Sequence, residues 1–490
     1  MKEKGFIEPL IFERSRKGRT GVEPLFGDAP LADIELNIPF ELLRDADGLA
    51  GFPEVSELDV VRHYTRLSKI NLGIDSSFYP LGSCTMKYNP KVNEEMAGLS
   101  GFAKIHPYMP EEFVQGALEL MHGLSSALAQ ISGMDEVSLQ PSAGAQGEFA
   151  GMLVVRAYFK DMGRPRKKVI IPDTAHGTNP ASSMLAGFDV VPLKTGGRGI
   201  VSVEAVQGIM DEDTAALMLT NPNTLGLFER NIKEISEVVH AKGGFVYCDG
   251  ANLNALMGIA KLGDMGVDLV QLNLHKTFST PHGGGGPGSG PIGVKKTLVD
   301  YLPMPVVVKT GDKYLLDYAR PKSIGRLRAF YGQFAVMVKA YSYIKSMGKD
   351  GLRKASEIAV LNANYIKERL KTDFHLPFDE PCMHECVFSD RLQSQYGITT
   401  MDMAKRLIDF GMHPPTVYFP LVVSGAMMVE PTETETSETL DEFIEAMKQI
   451  AKEAKETPAL LKASPHTTGI SRVDEVAAAR EPRLRWRIEG

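Results

Sequence analysis

The sequence predicts an α/β protein whose main domain is built on a mostly parallel β-sheet covered by helices on both faces. Five short apolar runs of strand length recur between residues 168 and 272, and helical or turn segments separate them. Apolar strands that alternate with helices are typical of parallel sheets buried on both faces. The chain has 490 residues, which is too many for one hydrophobic core, so at least two domains are expected.

The individual elements follow from the spacing of the apolar residues. Strands are predicted at 168–171, 190–193, 215–219, 245–248 and 269–272. Helices are predicted over about 57–69, 111–132, 148–161 and 331–371, with a short helix near 40–43. Ligands of such sheets collect at the carboxyl ends of the strands, and the site is therefore expected there.

The chain is predicted to have three parts. Residues 1–60 are rich in Pro, Gly and charge, and we expect an extended arm that packs on another subunit or domain. Residues 61–345 form the large domain, and residues 346–490 form a smaller α+β domain. An irregular Pro/Gly-dense segment at 71–90 interrupts the large domain, and long loops of this kind are often functional.

Composition excludes several classes of protein. The formal charge of −7 offers no general surface for nucleic acid or an anionic membrane. No apolar run reaches the ~18 residues that span a bilayer, and the first residues lack the apolar core of a signal peptide. Four cysteines in so long a chain make no disulfide framework, and none has metal-site spacing. We expect no metal and a reducing cytoplasm.

One lysine, Lys276, follows the last predicted strand and precedes a loop with six glycines among residues 283–290. Burial at a strand end lowers the pKa of a lysine and makes its amine a nucleophile. Glycines let the backbone approach a ligand closely. This pattern favours Lys276 as the residue that holds pyridoxal phosphate (PLP) through a Schiff base. A solvated lysine beside an ordinary loop is the alternative for this stretch alone.

Two other strand ends carry groups that suit the same cofactor. Asp249 closes the strand before Lys276, and a buried carboxylate there can pair with a protonated pyridine nitrogen. His176 follows the first strand, and its imidazole can stack on the pyridine ring. Each has an ordinary alternative, since Asp often caps a helix or turn and a loop histidine is often only hydrogen-bonded.

A phosphate cradle is predicted where Ser142, Ala143, Gly144 and Ala145 open a helix, because a helix start offers free N–H groups and the positive end of the dipole. Thr224 follows a further strand and can reach the edge of the cofactor. An N-cap and a plain turn are the alternatives. The cradle, the histidine, the acid and the lysine occur in this order, and their joint occurrence is more specific than any one of them.

The residues at 273–286, 288–291 and 249–252 resemble the glycine decarboxylase P-protein family of the glycine cleavage system. Similar segments extend over most of the chain, at 79–90, 140–148, 323–326, 413–418, 430–433 and 464–486. The length is similar to that of the half-size bacterial form, subunit 2, which carries the lysine.

The resemblance implies a fold-type I PLP-dependent enzyme that assembles as two copies each of subunits 1 and 2. It implies that Lys276 bonds PLP, His176 stacks on the ring, Asp249 pairs with its nitrogen and 142–145 hold phosphate. His275 and Thr224 are expected beside the cofactor. It also implies glycine as substrate and the lipoyl arm of H-protein as acceptor of the aminomethyl group, with 71–90 and 106–110 as candidate walls of a channel.

Two competing hypotheses are another fold-type I PLP enzyme, such as an aminotransferase or a cysteine desulfurase, and a non-catalytic half of the complex. A desulfurase needs a catalytic cysteine on a mobile loop, and Cys84 is far from the usual position for one. A scaffold has no use for the lysine and the aspartate.

Overall fold

The computed structural model describes residues 7–21, 38–42, 51–284, 286 and 288–485. Its contacts divide the chain into two compact units, residues 1–73 with 463–490, and residues 74–462. The predicted boundaries near residues 60 and 345 are a different division of the chain and stay a prediction.

The centre of the second unit is a seven-stranded sheet. Its strands are β1 (Glu136–Ser138), β2 (Lys168–Pro172), β3 (Asp189–Leu193), β4 (Thr214–Thr220), β5 (Phe245–Gly250), β6 (Leu269–Leu272) and β7 (Ile292–Val294). The strand order is β1-β7-β6-β5-β4-β2-β3. Strands β3, β2, β4, β5 and β6 are parallel, and β7 runs antiparallel to both β6 and β1. The predicted mostly parallel sheet is therefore confirmed.

Both faces of β2, β4, β5 and β6 are buried, as their continuous apolar runs predict, whereas the edge strand β3 is partly exposed. The helices of the second unit are α2 (Lys91–Gly98), α3 (Ser100–Ala103), α4 (Gln115–Ser132), α5 (Gly144–Asp161), α6 (Thr178–Leu185), α7 (Val203–Ile209), α8 (Ile232–Ala241), α9 (Phe334–Leu370), α10 (Thr400–Asp409), α11 (Ser437–Glu456) and α12 (Pro458–Lys462). Successive strand residues alternate between two cores: Val246 packs in the cluster that contains α4, and its neighbour Tyr247 packs in the cluster that contains α5.

A second region of this unit combines strands and helices, as the α+β prediction for the last third requires. Strands β10 (Cys386–Ser389), β12 (Ala426–Val429) and β11 (Thr416–Val417) form an antiparallel sheet in that order. Its core includes residues of α9, α10 and α11. Helix α9 is interrupted at Gly348, whose φ of 61° is non-helical.

The five predicted strands are all present, whereas β1, β7, a separate hairpin and the three strands of the smaller sheet had no predicted bounds. Strands β1 and β7 have only three residues each, which is too short to display a period of two. The hairpin of β8 (Val306–Thr310) and β9 (Lys313–Asp317) lies in a half-exposed stretch. The helix predicted from 148 begins four residues earlier, at Gly144.

The first unit contains α1 (Glu57–Ile70), α13 (Glu475–Arg480) and two short 3-10 helices, Ile11–Arg14 and Phe40–Leu42. Helix α1 begins at a capping box formed by Ser56 and Asp59. The buried carboxylate of Glu8 accepts hydrogen bonds from His63 and Arg66 and so ties the start of the described chain to α1. Residue 43 of the predicted short helix lies outside the described residues.

None of the helices within the described residues is both long enough and apolar enough to cross a membrane.

Candidate active site

Seven of the nine residues predicted for the site line one cavity of about 200 Å³ at the carboxyl ends of the parallel strands. They are Gly144, Ala145, His176, Thr224, Asp249, His275 and Lys276. The other two, Ser142 and Ala143, immediately precede α5 and are not part of the lining. The order of strands β2, β4, β5 and β6 in the sheet brings these separate stretches of sequence together.

Asp249 is buried at the end of β5, and its carboxylate is fixed from two sides. Asn179 Nδ2 donates to Oδ2 at 3.0 Å, and the N–H of Ala251 donates to Oδ1 at 2.9 Å. Hydrogen bonds to the charged form of a carboxylate stabilise it. Asp249 is therefore held as a fixed acceptor at the floor of the cavity.

Lys276 lies in the turn after β6, with its amine directed into the cavity wall. Its Nζ donates to the carbonyl oxygen of Ser83 at 2.7 Å. Ser83 and Thr85 both have positive φ angles, 64° and 50°, which non-glycine residues rarely adopt. This tight turn belongs to the irregular segment at 71–90 and brings a backbone carbonyl to the lysine.

His176 lies in the loop between β2 and α6, and its ring is exposed to the cavity. Its Nδ1 is 2.8 Å from Thr178 Oγ1. Enclosure by the surrounding atoms and the nearby charge of Lys276 lower the pKa of His176, while Asp249 opposes this effect. The imidazole is therefore neutral near pH 7.

The N-terminus of α5 opens into the same cavity at Gly144 and Ala145. Its N-cap residue, Ala143, makes no capping hydrogen bond through a side chain, so the first N–H groups of the helix remain available to an anion. The predicted hydroxyl of Ser142 donates instead to Gln146 Oε1 at 2.8 Å. A Cβ on Gly144 would lie 2.7 Å from Asn273 Oδ1, so a larger residue here would force the Asn273 side chain to shift.

Two histidines flank Lys276 and are neutral. Burial lowers the pKa of His275 to about 3 and that of His282 to about 4, and the charge of Lys276 contributes to both shifts. The N–H of Ser289 donates to His275 Nδ1 at 3.2 Å, and His282 Nε2 donates to the carbonyl of Cys84 at 3.0 Å.

The hydroxyl of Thr224 donates to the carbonyl oxygen of Thr174 at 2.5 Å.

Sequence reasoning missed a buried acidic group beside the lysine. A side-chain nitrogen of His384 and a carboxylate oxygen each of Glu385 and Glu430 lie within 4.8 Å of one another, and His384 and Glu385 line the cavity. Glu385 Oε2 accepts the N–H of Ser83 at 2.7 Å, and Glu430 Oε2 accepts the N–H of Thr85 at 3.0 Å. Both carboxyl groups therefore fasten the turn that contacts Lys276.

Burial, together with the neighbouring Glu430, raises the pKa of Glu385 well above its usual range. The buried site therefore favours the protonated form of Glu385. His384–Glu385 has no motif spacing, and Glu430 is 45 residues away, so the sequence carries no local signal for this group. Only the fold brings the three together.

The segment at 106–110, predicted as a wall of the same channel, lines a different cavity. An apolar space of about 110 Å³ is lined by Ile105, His106, Pro107 and Met109, together with aromatic side chains that include Phe330. This space shares none of its lining residues with the cavity at Lys276. Its part in a channel stays a prediction, whereas the segment at 71–90 contributes Ser83 to the cavity.

Comparison with known proteins defines the class. Residues 145–286 match the family model described as Aminotransferase class-V. A crystal structure of glycine decarboxylase (P-protein) of the glycine cleavage system in inhibitor-bound form is similar at a TM-score of 0.68 and 20% identity, covering 92% of this chain and 100% of that one. The Escherichia coli cysteine desulfurase CsdA is similar at a TM-score of 0.60 and 14% identity, covering 77% and 95%. The fold is that of the fold-type I PLP-dependent enzymes.

Residues 355–466 match the model described as Glycine dehydrogenase, C-terminal domain. The probable glycine dehydrogenase (decarboxylating) subunit 2 of Caldanaerobacter subterraneus subsp. tengcongensis is 58% identical, over 97% of this chain and 98% of that protein. The protein of the same description from Halalkalibacterium halodurans is 59% identical, over 98% of each. The chain belongs to the glycine dehydrogenase (decarboxylating) subunit 2 family, and it is PLP-dependent. The alternatives of an aminotransferase or a desulfurase are not supported.

Proposed function

We propose that this chain is the PLP-bearing half of a two-subunit glycine decarboxylase, in which Lys276 bonds the cofactor and Asp249 and His176 act on its ring. The observation that carries this proposal is the convergence of Lys276, Asp249, His176 and the α5 N-terminus on one cavity. These four groups come from four separate stretches of sequence, and each corresponds to one part of PLP.

The chemistry of the cavity fits the cofactor. The uncapped start of α5 suits a phosphate group, and the fixed carboxylate of Asp249 suits a protonated ring nitrogen. Thr220 Oγ1 lies in the lining and is buried, with no hydrogen-bond partner in the described part of the chain, so a polar ligand group would satisfy it. His176 offers an exposed ring face, and Thr224 and His275 complete the enclosure.

When bound, PLP supplies an electron sink for the breaking Cα–carboxylate bond of glycine. The residues of this chain hold and orient the reactants. Asp249 places its carboxylate where a ring cation needs it, and the neutral His176 adds no competing positive charge. Lys276 Nζ is held by the Ser83 carbonyl, within the cavity, where it can accept or return a proton.

We further propose that the product aminomethyl group passes to the lipoyl arm of H-protein and that the chain assembles with subunit 1, two copies of each, in the cytoplasm. The description of the relatives as a subunit 2 supports a partner subunit. The four free cysteines are compatible with a reducing compartment. Burial raises the pKa of the Cys84 thiol and leaves it a poor nucleophile, which argues against desulfurase chemistry.

The lysine assignment is tested by borohydride reduction of the purified chain with PLP, followed by peptide mass spectrometry. We expect one pyridoxyl label, on the peptide that contains Lys276, and none after Lys276→Ala. Lys233→Ala, which removes an exposed lysine on α8, is the matched control and should keep the label. A label that persists in Lys276→Ala would refute the assignment.

A further inference from the structure

Glu148 is a buried carboxyl group on α5 that the proposed function does not use. Its Oε1 lies 2.8 Å from Thr178 Oγ1, within hydrogen-bond distance, and its Oε2 accepts a hydrogen bond from Ser182 Oγ at 3.2 Å. Thr178 and Ser182 are four residues apart on α6 and so lie on one face of that helix. The carboxyl group is therefore fixed against α6 from both of its oxygens.

Thr178 also contacts His176, the residue expected to stack on the ring. The Thr178 hydroxyl lies 2.8 Å from His176 Nδ1, and the backbone N–H of Thr178 is directed at the same nitrogen at 3.2 Å. The hydroxyl thus bridges the carboxyl group of Glu148 and the imidazole of His176. The chain of atoms is Glu148 Oε1, Thr178 Oγ1 and His176 Nδ1.

A count of protons decides between two arrangements of this chain. The N–H of Thr178 needs Nδ1 as an acceptor, so Nδ1 carries no hydrogen. The close contact from Oγ1 to Nδ1 then requires that the hydroxyl donate to His176. A hydroxyl has one proton, so its contact with Glu148 at 2.8 Å requires that the carboxyl group donate to Oγ1. All three contacts are satisfied together only when Glu148 is protonated and His176 carries its hydrogen on Nε2.

The surroundings of both groups favour the same arrangement. Burial, and then the charge of Asp249, raise the pKa of Glu148 to about 7. Besides Asp249, the groups that face Glu148 are Tyr247 from β5 and Thr178, Asn179 and Ser182 from α6. Those that face His176 are Asp249, Lys276 and the Phe419 ring, 5.7 Å away between centroids.

We propose that Glu148 is a positioning residue for His176: its carboxyl proton, relayed through the Thr178 hydroxyl, holds the imidazole in the neutral form with hydrogen on Nε2. The inference rests on the proposed function, in which His176 contacts the cofactor ring. A neutral Glu148 also leaves Asp249 without a second negative charge beside it. The floor of the cavity then carries one carboxylate, matched to one cationic ring nitrogen.

The relay is tested by ¹⁵N NMR of the full-length chain with labelled histidine, with the His176 signals identified by their loss in His176→Gln. As pH rises and Glu148 ionises, the Thr178 hydroxyl turns to the carboxylate and Nδ1 loses a donor. We expect a step in the Nδ1 shift with a midpoint near pH 7. Glu148→Gln should abolish this step, because its amide cannot ionise.

Two threonine variants separate the relay from a merely structural role. Thr178→Val keeps the branched shape and removes the hydroxyl, and it should lose the step, while Thr178→Ser should retain it. A thermal melt of each variant checks that the fold is kept. Persistence of the step in Glu148→Gln or in Thr178→Val, or its absence from the unmodified chain, would overturn the inference.

The NMR experiment needs no PLP and is therefore independent of the borohydride test. A missing step in a chain that is labelled at Lys276 overturns the relay alone. A chain that shows the step but takes no label at Lys276 keeps the relay and loses the proposed function.

Discussion

The carboxylate of Asp249 is fixed in a way that suits the role proposed for it. Its two oxygens already accept hydrogen bonds from Asn179 and Ala251, which leaves lone pairs for one further donor. A carboxylate fixed in this way needs no reorganisation when positive charge develops next to it. The position is set by a strand end, which is why sequence spacing alone could predict it.

Replacement of Asp249 by Asn should lower glycine–bicarbonate exchange far more than PLP content. The amide cannot balance a ring cation, and removal of one preorganised electrostatic group costs ~10²–10³-fold in rate. Exchange activity and bound PLP are measured on the same preparation, with the exposed Asp264→Asn as control. Equal losses of activity and PLP would make Asp249 a binding residue only.

The Glu385–Glu430 pair predicts a contrast between two conservative substitutions. Both oxygens of Glu430 accept hydrogen bonds, one from the N–H of Thr85 and one from Asn252 Nδ2. In Glu430→Gln, the NH2 group replaces one of these oxygens and faces a donor that it cannot accept from. An unsatisfied buried group of this kind costs about 1–3 kcal/mol of unfolding free energy. Gln has the shape of a protonated Glu385 and does not ionise in the unfolded chain, so Glu385→Gln should not lower stability at pH 7. Urea unfolding measures the stability of both variants, and equal losses would refute the preference of Glu385 for its protonated form.

The sign of the pH dependence follows from the same pKa. Because the pKa of Glu385 is raised in the folded chain, the folded state binds more protons than the unfolded state at pH values above the usual carboxyl range. Stability is therefore lost through this group as pH rises above ~4.3. Glu385→Gln lacks this loss, so its stability relative to the unmodified chain should increase from pH 5 to pH 7.

At the scale of elements, the long apolar strands were predictable and the ends of elements were not. Helix α5 begins at Gly144, but glycine has low helix propensity, and Gly144 and Gly147 hide the first turn from a periodicity argument. The turn at Ser83 and Thr85 depends on positive φ angles, and neither a serine nor a threonine predicts such an angle from the sequence. Its anchors, Glu385 and Glu430, are remote in sequence, so this half of the site required the fold.

The start of α5 carries a prediction about cofactor affinity. Gly144→Ala would push a Cβ against the amide of Asn273 and displace the first N–H groups of the helix, so we expect PLP to be bound at least about tenfold more weakly, ~1.4 kcal/mol. Ser142→Ala removes only the hydroxyl that donates to Gln146 and should have a smaller effect. Fluorescence titration with PLP measures the affinity of each variant. A larger effect of Ser142→Ala would indicate that the Ser142 hydroxyl binds the phosphate.

At the scale of the whole molecule, helix α1 presents an apolar stripe that the described residues leave exposed. Leu58, Val61, Tyr64 and Leu67 recur every three residues in a row that winds around the helix, with exposed fractions of 54%, 55%, 58% and 39%. A stripe of this kind on a helix is typical of a surface that packs against another chain. It suits an interface with the proposed partner, subunit 1.

Purified alone, the chain should bind PLP and yet be nearly inactive in glycine–bicarbonate exchange with lipoylated H-protein until subunit 1 is added. Val61→Lys places a charge in the middle of the stripe, and burying this charge in an interface is costly. We expect the concentration of subunit 1 that gives half-maximal activity to rise at least about tenfold. Arg62→Ala, a neighbouring exposed change, is the control. PLP binding should be unaffected in both variants, because the cavity is built from residues of the second unit. Full activity of the chain alone would refute the two-subunit proposal, whereas unchanged activation of Val61→Lys would exclude only α1 as the contact.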